Sequence, residues 1–546
     1  MYNRIDRDSP RRYDRARTMA DREFPVFIVG GSLVGLSSAL FLAHHGIRSL
    51  TVEHHRGTAV HPRAAQMYQR TMELLRSVGL EQLALEKSEE QFVQDGAVMA
   101  VESLAGKELA WYVPNLNQGV RDVSPSVRVF LTQNLLEPLL KARAEEWGAE
   151  LLFGTDLVSC EQDAEGVSAL IRDRDSGKAS TVRARYMIAA DGAHSRVRDA
   201  LRIRMAGRGV LSHSVTIYFR GPVGPLLRGR NLSVIYIYNS ALTGFFRIEK
   251  PFDSGFLAVN SVGPPDRPNT DVWAGLSEER CQEWLHAALG ADVALRIENV
   301  MKWQASADTA ERFQEGRIFL AGDAAHSMPP NGGFGGNTGI QDAHNLAWKL
   351  ALVFKGLAPV ELLTTYEAER RPVGAFTVAQ AYSRYVTRWA PYLGVQDIEP
   401  MVSDLDVDLG YRYRSRAIAS EGGDDGRVVG ITRESKGRPG TRAPHMFLAS
   451  RGDSISTLDL FGRGFTLLAG TKGAAWCHSA AEAASRTGVP MEAQILQEGE
   501  FPNSYGITPS GAVLVRPDGF VAWRAADDSM ASPDTISRTL SRLLCD

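Results

Sequence analysis

The chain has 546 residues, enough for two or three domains, each with its own core. Its 44% hydrophobic and 23% charged residues exclude a disordered or fibrous chain. With 61 Lys and Arg against 64 Asp and Glu, the net charge of -3 gives no global field for nucleic acid. Cys160, Cys281, Cys477 and Cys545 lie far apart, without a CxxC pair or a metal-ligand spacing. A reducing, cytoplasmic setting without a metal is therefore expected.

Residues 1–23 carry seven arginines mixed with acids and no apolar core, which predicts a disordered arm or an extended gene start, with Met19 as an alternative start, rather than a signal peptide. From Phe24 to Ala43 there are twenty residues without a charge, long enough to cross a bilayer. The run divides, however, into a β-rich opening at Val26–Val29, a glycine turn, and a helix from Leu33 to His44. Gly30, Ser32 and Gly35 occupy the three small-residue positions of a dinucleotide-binding turn, with serine in place of the middle glycine. The next strand, Ser49 to Val52, delivers Glu53, whose carboxylate suits a ribose and repels a 2′-phosphate. Arg63 follows, and is read either as a phosphate contact or as a solvated side chain.

Farther on, the strand Arg185–Ala190 ends at Asp191 and Gly192. Ligands in α/β sheets gather at such strand ends, although Asp-Gly is also a common turn. From Ser212 to Val262 the residues turn strongly β, in the runs Ser214–Phe219, Leu232–Tyr238 and Phe245–Ile248. Alternation predicts a sheet with one covered and one available face, and Tyr236 and Tyr238 share a face. Tyr218, Tyr236, Tyr238 and Arg247 are candidate pocket residues; each tyrosine either lines an aromatic site or fills the core.

The most informative segment runs from Gly316 to Ile340. A short apolar strand delivers Asp323, and Pro330, Gly333, Gly335 and Gly336 then lead into a helix expected to begin near Asn337 and Thr338. Five glycines within residues 332–339 carry an entropic cost that close approach to a ligand explains. The first N–H groups of that helix would face bound negative charge. A further helix is predicted over Val373–Trp389. The remainder is turn-rich around Gly437–His445 and ends in a β pattern, Ala512–Arg524, with a turn at Pro517–Gly519. His445 is read either as a pocket residue near a domain junction or as a structural histidine.

Gly30 to Gly35 with Glu53, the Asp191-Gly192 strand end, and Gly322-Asp323 through the helix entrance match in order three recurrent motifs of one family. The chain resembles the single-component FAD-dependent aromatic hydroxylases related to p-hydroxybenzoate and phenol hydroxylases. The likeness covers about residues 24–375 and is nearest to the larger bacterial enzymes that oxygenate polycyclic aromatic polyketides. It implies an α/β and α+β architecture. A Rossmann-like FAD-binding domain (24–200 and 300–385) would carry an inserted mixed β-sheet substrate domain (201–299, with parts of 85–130). A thioredoxin-like C-terminal domain (405–546) would follow, with Trp476-Cys477-His478 in place of a redox cysteine pair.

By the same resemblance, Glu53 holds the adenosine ribose and Asp323 the ribityl chain. Gly335 to Thr338 face the pyrophosphate or flavin ring. Arg63 and Gln133 contact the cofactor, and Asp191-Gly192 serves FAD and NAD(P)H. NADPH or NADH would reduce FAD, dioxygen would give a flavin C4a-hydroperoxide, and one oxygen would pass to a phenolic ring. The resemblance names no catalytic base, no ring position and neither monomer nor homodimer. Two other readings of the same motifs are an FAD-dependent oxidoreductase without oxygen insertion and an inactive FAD-containing scaffold.

Overall fold

The computed structural model describes residues 21–60, 64–263, 268–269, 271–448 and 455–545. Arg63 and residues 1–20 of the expected arm therefore lie outside the described residues. Arg22 and Glu23, assigned to that arm from sequence, are already part of the first strand, Arg22–Val29. They pair there with Val182 and Arg183, so main-chain pairing rather than apolar content extends the strand.

The long uncharged run is split as the glycine turn requires, into this strand and the helix Leu33–His44. No helix of the described residues is long and apolar enough to cross a membrane. The strand is central in a sheet ordered Gln314–Glu315, Ile318–Leu320, Ala179–Ala189, Arg22–Val29, Ser49–Glu53, Glu150–Phe153. Its four middle strands are parallel, with Val29 beside both Val52 and Ala189, and Leu320 beside Ala189. Both faces are covered, as the continuous apolar runs demand. Four carboxyl-terminal strand ends are thereby brought to one edge: Gly30, Glu53, Asp191 and the Ala321–Asp323 segment.

A second, mixed sheet follows the order His326–Ser327, Arg296–Ala310, Met205–Arg220, Ser254–Ser261, Thr243–Glu249, Leu232–Tyr238, Ala97–Val101, Glu108–Val113. The three strands read from sequence lie within it, and residues 97–113 supply its far edge. The expected break between 299 and 300 falls inside the strand Arg296–Ala310, which runs on from the second sheet toward the first. The helix expected from Val373 instead begins at Thr364 and ends at Arg388, carrying Pro372 within it. Tyr366 is fully buried and donates to Leu320 O over 2.7 Å, so packing holds the turns that precede the proline.

The C-terminal part is a four-stranded sheet ordered Met491–Ile495, Phe465–Ala469, Ala512–Val515, Val521–Ala525, with helices Ala474–Thr487 and Pro533–Leu543 packed on each other. The last two strands form the expected hairpin. Phe465 meets Trp348 edge-on with 6.2 Å between centroids, which seats this sheet on the helix Gly335–Phe354. Beneath it, Arg516, Glu369 and Lys349 form ion pairs with fully buried side chains. All four cysteines are free thiols, and burial raises the pKa of each, Cys281 to about 11.

Candidate functional site

The strand ends open into a cavity of about 1120 Å³ that continues beneath the second sheet. Single-ligand pockets hold roughly 300–1,000 Å³, so this one lies at or above the upper end of that range. Its floor begins at the first turn. Gly30 has φ +102, and a Cβ there would stand 2.3 Å from Ala190 O. A Cβ on Gly35 would stand 1.7 Å from Gly30 O, so helix and strand touch through glycine alone.

Ser32, at the middle position, turns its hydroxyl to Glu137 Oε1 at 2.5 Å and accepts from Gln133 Nε2 at 2.7 Å. Glu137 is fully buried and also accepts from Ala59 N at 2.7 Å. This hub ties the turn to the helix Gln133–Glu146 and to the loop after Glu53. Glu53 accepts from Gly31 N at 2.6 Å and from His55 N at 2.9 Å. The His55 ring also sits 2.6 Å from Oε1, so it is Oε2, with one lone pair beyond Gly31 N, that keeps capacity toward the cavity.

Gly192, Asp323, Pro330, Gly333, Gly335 and Gly336 line the same cavity, as do Gly30, Ser32, Glu53, Gln133 and Asp191. Burial raises the pKa of Asp191; one of its oxygens accepts from Val197 N at 3.2 Å and the other has no protein partner. Asn331, 3% exposed, likewise has neither amide atom partnered in the protein. The helix starts at Gly335, two residues before the expected point. Its entrance and that of Leu33–His44 both border the cavity. Unpartnered donors and acceptors, two helix N-termini and a turn of small residues fit a dinucleotide.

Asn337 and Thr338 are not in the cavity wall. Asn337 accepts from Tyr68 N and Thr71 Oγ1 and donates to Gln66 O and Gly333 O. Thr338 donates to Phe334 O, so both side chains lock the helix entrance rather than face a ligand.

Under the second sheet the wall becomes aromatic: Tyr236, Phe245, Phe256 and Trp389, with Val98, Leu116 and Met328. Of the five pocket candidates, Tyr236 and Arg247 reach it and three do not. Tyr218 is the cross-strand neighbour of Phe256, with 5.9 Å between centroids, but does not line the cavity. Tyr238 stacks on Tyr236 but spends its hydroxyl on the main-chain carbonyl of Arg388, and burial raises its pKa. His445 bonds Ser456 through Nδ1 at 2.7 Å, and burial pushes its pKa down to about 4, the behaviour of a neutral structural histidine.

Sequence reading missed Arg128, Asp404 and Trp389, which complete this end of the cavity. Asp404 pairs with Arg384 at 2.9 Å and Arg128 at 3.4 Å. Burial opposes its ionisation, yet Arg384, Arg128 and Arg388 hold it below the usual carboxylate range. No local pattern marks these residues, because they come from three separate segments.

Residues 23–381 match the family model described as FAD binding domain, and residues 436–545 match aromatic-ring hydroxylase, C-terminal. The chain belongs to the FAD-dependent aromatic-ring hydroxylases and is an FAD-dependent monooxygenase. It is 50% identical to a 4-methyl-5-nitrocatechol 5-monooxygenase of Burkholderia sp., over 97% of this chain and 99% of that protein. It is 38% identical to a tetracenomycin A2 monooxygenase-dioxygenase of Streptomyces glaucescens, over 93% and 94%. A solved ternary complex of aklavinone-11 hydroxylase with FAD and aklavinone superposes with a TM-score of 0.90 at 36% identity, covering 97% of this chain and all of that one.

Proposed function

We propose that this monooxygenase takes electrons from NADPH or NADH, binds FAD along the four strand ends, and inserts one oxygen atom from dioxygen into a phenolic aromatic ring. The observation that carries this is the single cavity in which a dinucleotide-shaped half, from Gly30 to Gly336, meets an aromatic half under the second sheet. Bound FAD supplies the electron transfer and oxygen activation that side chains lack.

The chain's own residues bind and orient. Glu53 takes the adenosine ribose, Asp323 the ribityl chain, and the main chain at the two helix entrances takes the pyrophosphate. Gln133 serves this site by fixing Ser32 and Glu137. Asp191 and Gly192 border the cofactor at the neighbouring strand end. Tyr236, Phe245, Phe256 and Trp389 hold the substrate ring flat and keep out water that would waste reducing equivalents. The C-terminal sheet and its two helices have the makings of a thioredoxin-like domain. Lacking a cysteine pair at Trp476–His478, it acts as a support for the helix Gly335–Phe354 rather than as a redox centre.

The substrate we propose first is a polycyclic, polyketide-type phenol, in keeping with the tetracenomycin and aklavinone relatives. A nitro-substituted catechol is the second reading, favoured by the relative at 50% identity. Purified protein should carry a flavin spectrum and oxidise NAD(P)H in a substrate-dependent way. With labelled dioxygen it should place one labelled atom in the product of a hydroxyanthraquinone or of 4-methyl-5-nitrocatechol. Flavin reduction without incorporation would instead point to an oxidoreductase, and no turnover with any phenol to a scaffold.

A further inference from the structure

Arg247 lies in the aromatic half of the cavity with only 5% of its surface exposed. It has no hydrogen bond or ion pair to the protein among the described residues, and its Nη1 is fully enclosed without a partner. Its guanidinium carbon lies 4.0 Å from the Phe130 ring centroid and 5.5 Å from that of Phe92, contacts that use none of its N–H donors. Burial, reinforced by the charge of Arg128, pushes its pKa down to about 9, while Tyr236 and Tyr68 pull the other way.

The surroundings offer donors and withhold a counter-ion. Arg128 Nε and Trp389 Nε1, both on residues of the cavity wall, are also buried without protein partners. Trp389 packs over Phe245, which shares a sheet face with Arg247 two residues on. Arg388 completes the basic side of the wall and lies over Tyr112. Asp404, the carboxylate at this end, is already engaged by Arg384 and Arg128. Leaving a buried cation unpaired is strongly unfavourable, so a retained one marks a place that an anion fills.

We propose that Arg247 is the counter-ion that selects the ionised form of a phenolic substrate, a phenolate or nitrophenolate oxygen, with Arg128 Nε and Trp389 Nε1 as accompanying donors. This rests on the reading of the cavity as the site of an aromatic hydroxylase. Binding of a neutral phenol then releases one proton to solvent, and the ring arrives electron-rich for oxygen transfer.

The test uses FAD-loaded protein in oxygen-free buffer without reductant, and two phenols whose visible bands report ionisation, 4-nitrocatechol and alizarin. Wild type is expected to hold at least one of them ionised at about one pH unit below its free pKa. Arg247→Gln should abolish that shift and weaken binding roughly 10- to 100-fold, while Arg247→Lys retains part of both. Affinity for neutral 1,2-dimethoxy-4-nitrobenzene should change less than about threefold, since it loses no ion pair. A bound probe with the spectrum of its neutral form, no spectral response to either phenol, or a Gln variant equal to wild type overturns the proposal. If the Gln variant fails to load FAD, the wild-type spectra and the Lys variant decide. Ionised binding without labelled oxygen in any product would keep the anion site and remove the hydroxylase reading. Incorporation with neutral binding would remove only the anion site.

Discussion

Ser32 Oγ donates to Glu137 Oε1 over 2.5 Å, joining positions 105 residues apart. The serine that interrupts the glycine pattern is thus a structural contact, with its side chain drawn onto the helix Gln133–Glu146. Three donors converge on Glu137: Ser32, Gln133 Nε2 and Ala59 N. Ser32→Ala should cost about 0.5–1.5 kcal/mol, and Glu137→Ala, which strands buried donors, about 1–3 kcal/mol for each group left unpaired. Thermal melts with and without added FAD measure both. Equal melting temperatures for wild type and Glu137→Ala would show that the hub is inert.

Asp323 follows the strand Ile318–Leu320 and borders the cavity at its exposed turn. Asp323→Ala should keep the far-ultraviolet circular dichroism of wild type but weaken FAD binding roughly 10- to 100-fold, the loss of a hydrogen bond to a charged group. Glu53→Gln keeps an acceptor and should be milder. Unchanged FAD affinity by calorimetry in Asp323→Ala would remove its assigned role.

The C-terminal sheet is tied to the cofactor domain through Glu369, which accepts from Arg516 at 2.6 Å and Lys349 at 2.8 Å. Burial works against ionisation of Glu369, but Arg516 and Lys349 hold it below the usual carboxylate range. Arg516→Met leaves that carboxylate short of a partner and should destabilise the protein by about 3–5 kcal/mol. Scanning calorimetry is expected to show a lower transition, split as the C-terminal part separates first. A single transition at the wild-type temperature would count against the coupling.

Asp408 gives a pH signature of opposite sign. Burial pushes its pKa up to about 7, although Arg70 N donates to it at 2.8 Å. An unfolded aspartate titrates near 3.9, so between about pH 4 and 7 the folded chain holds a proton that the unfolded chain has released. Its contribution is therefore complete below about pH 4 and falls by up to about 1.4 kcal/mol per pH unit as pH rises to 7. Asp408→Asn should flatten this slope. Urea melts at pH 5, 6 and 7 that give the same slope in both proteins would refute it.

The strand, glycine turn, helix, strand and acid from Val26 to Glu53 were legible because each is decided by neighbours in the chain. So was the Gly322–Ile340 segment, where backbone freedom and a helix entrance are local properties. The aromatic half was not. On alternating strands, sequence says that Tyr236 and Tyr238 share a face, but not that Arg388 O captures the Tyr238 hydroxyl. Nor does it say that Phe256 lines the cavity while its cross-strand partner Tyr218 does not. Sequence by itself determined the backbone frame of the half we propose for the cofactor, since glycine turns and helix entrances restrict which residues can follow one another. Only the tertiary structure brought Arg128, Arg247, Trp389 and Asp404 to one chamber and left Arg247 without a partner, because burial and pairing are set by segments that meet only when the chain folds.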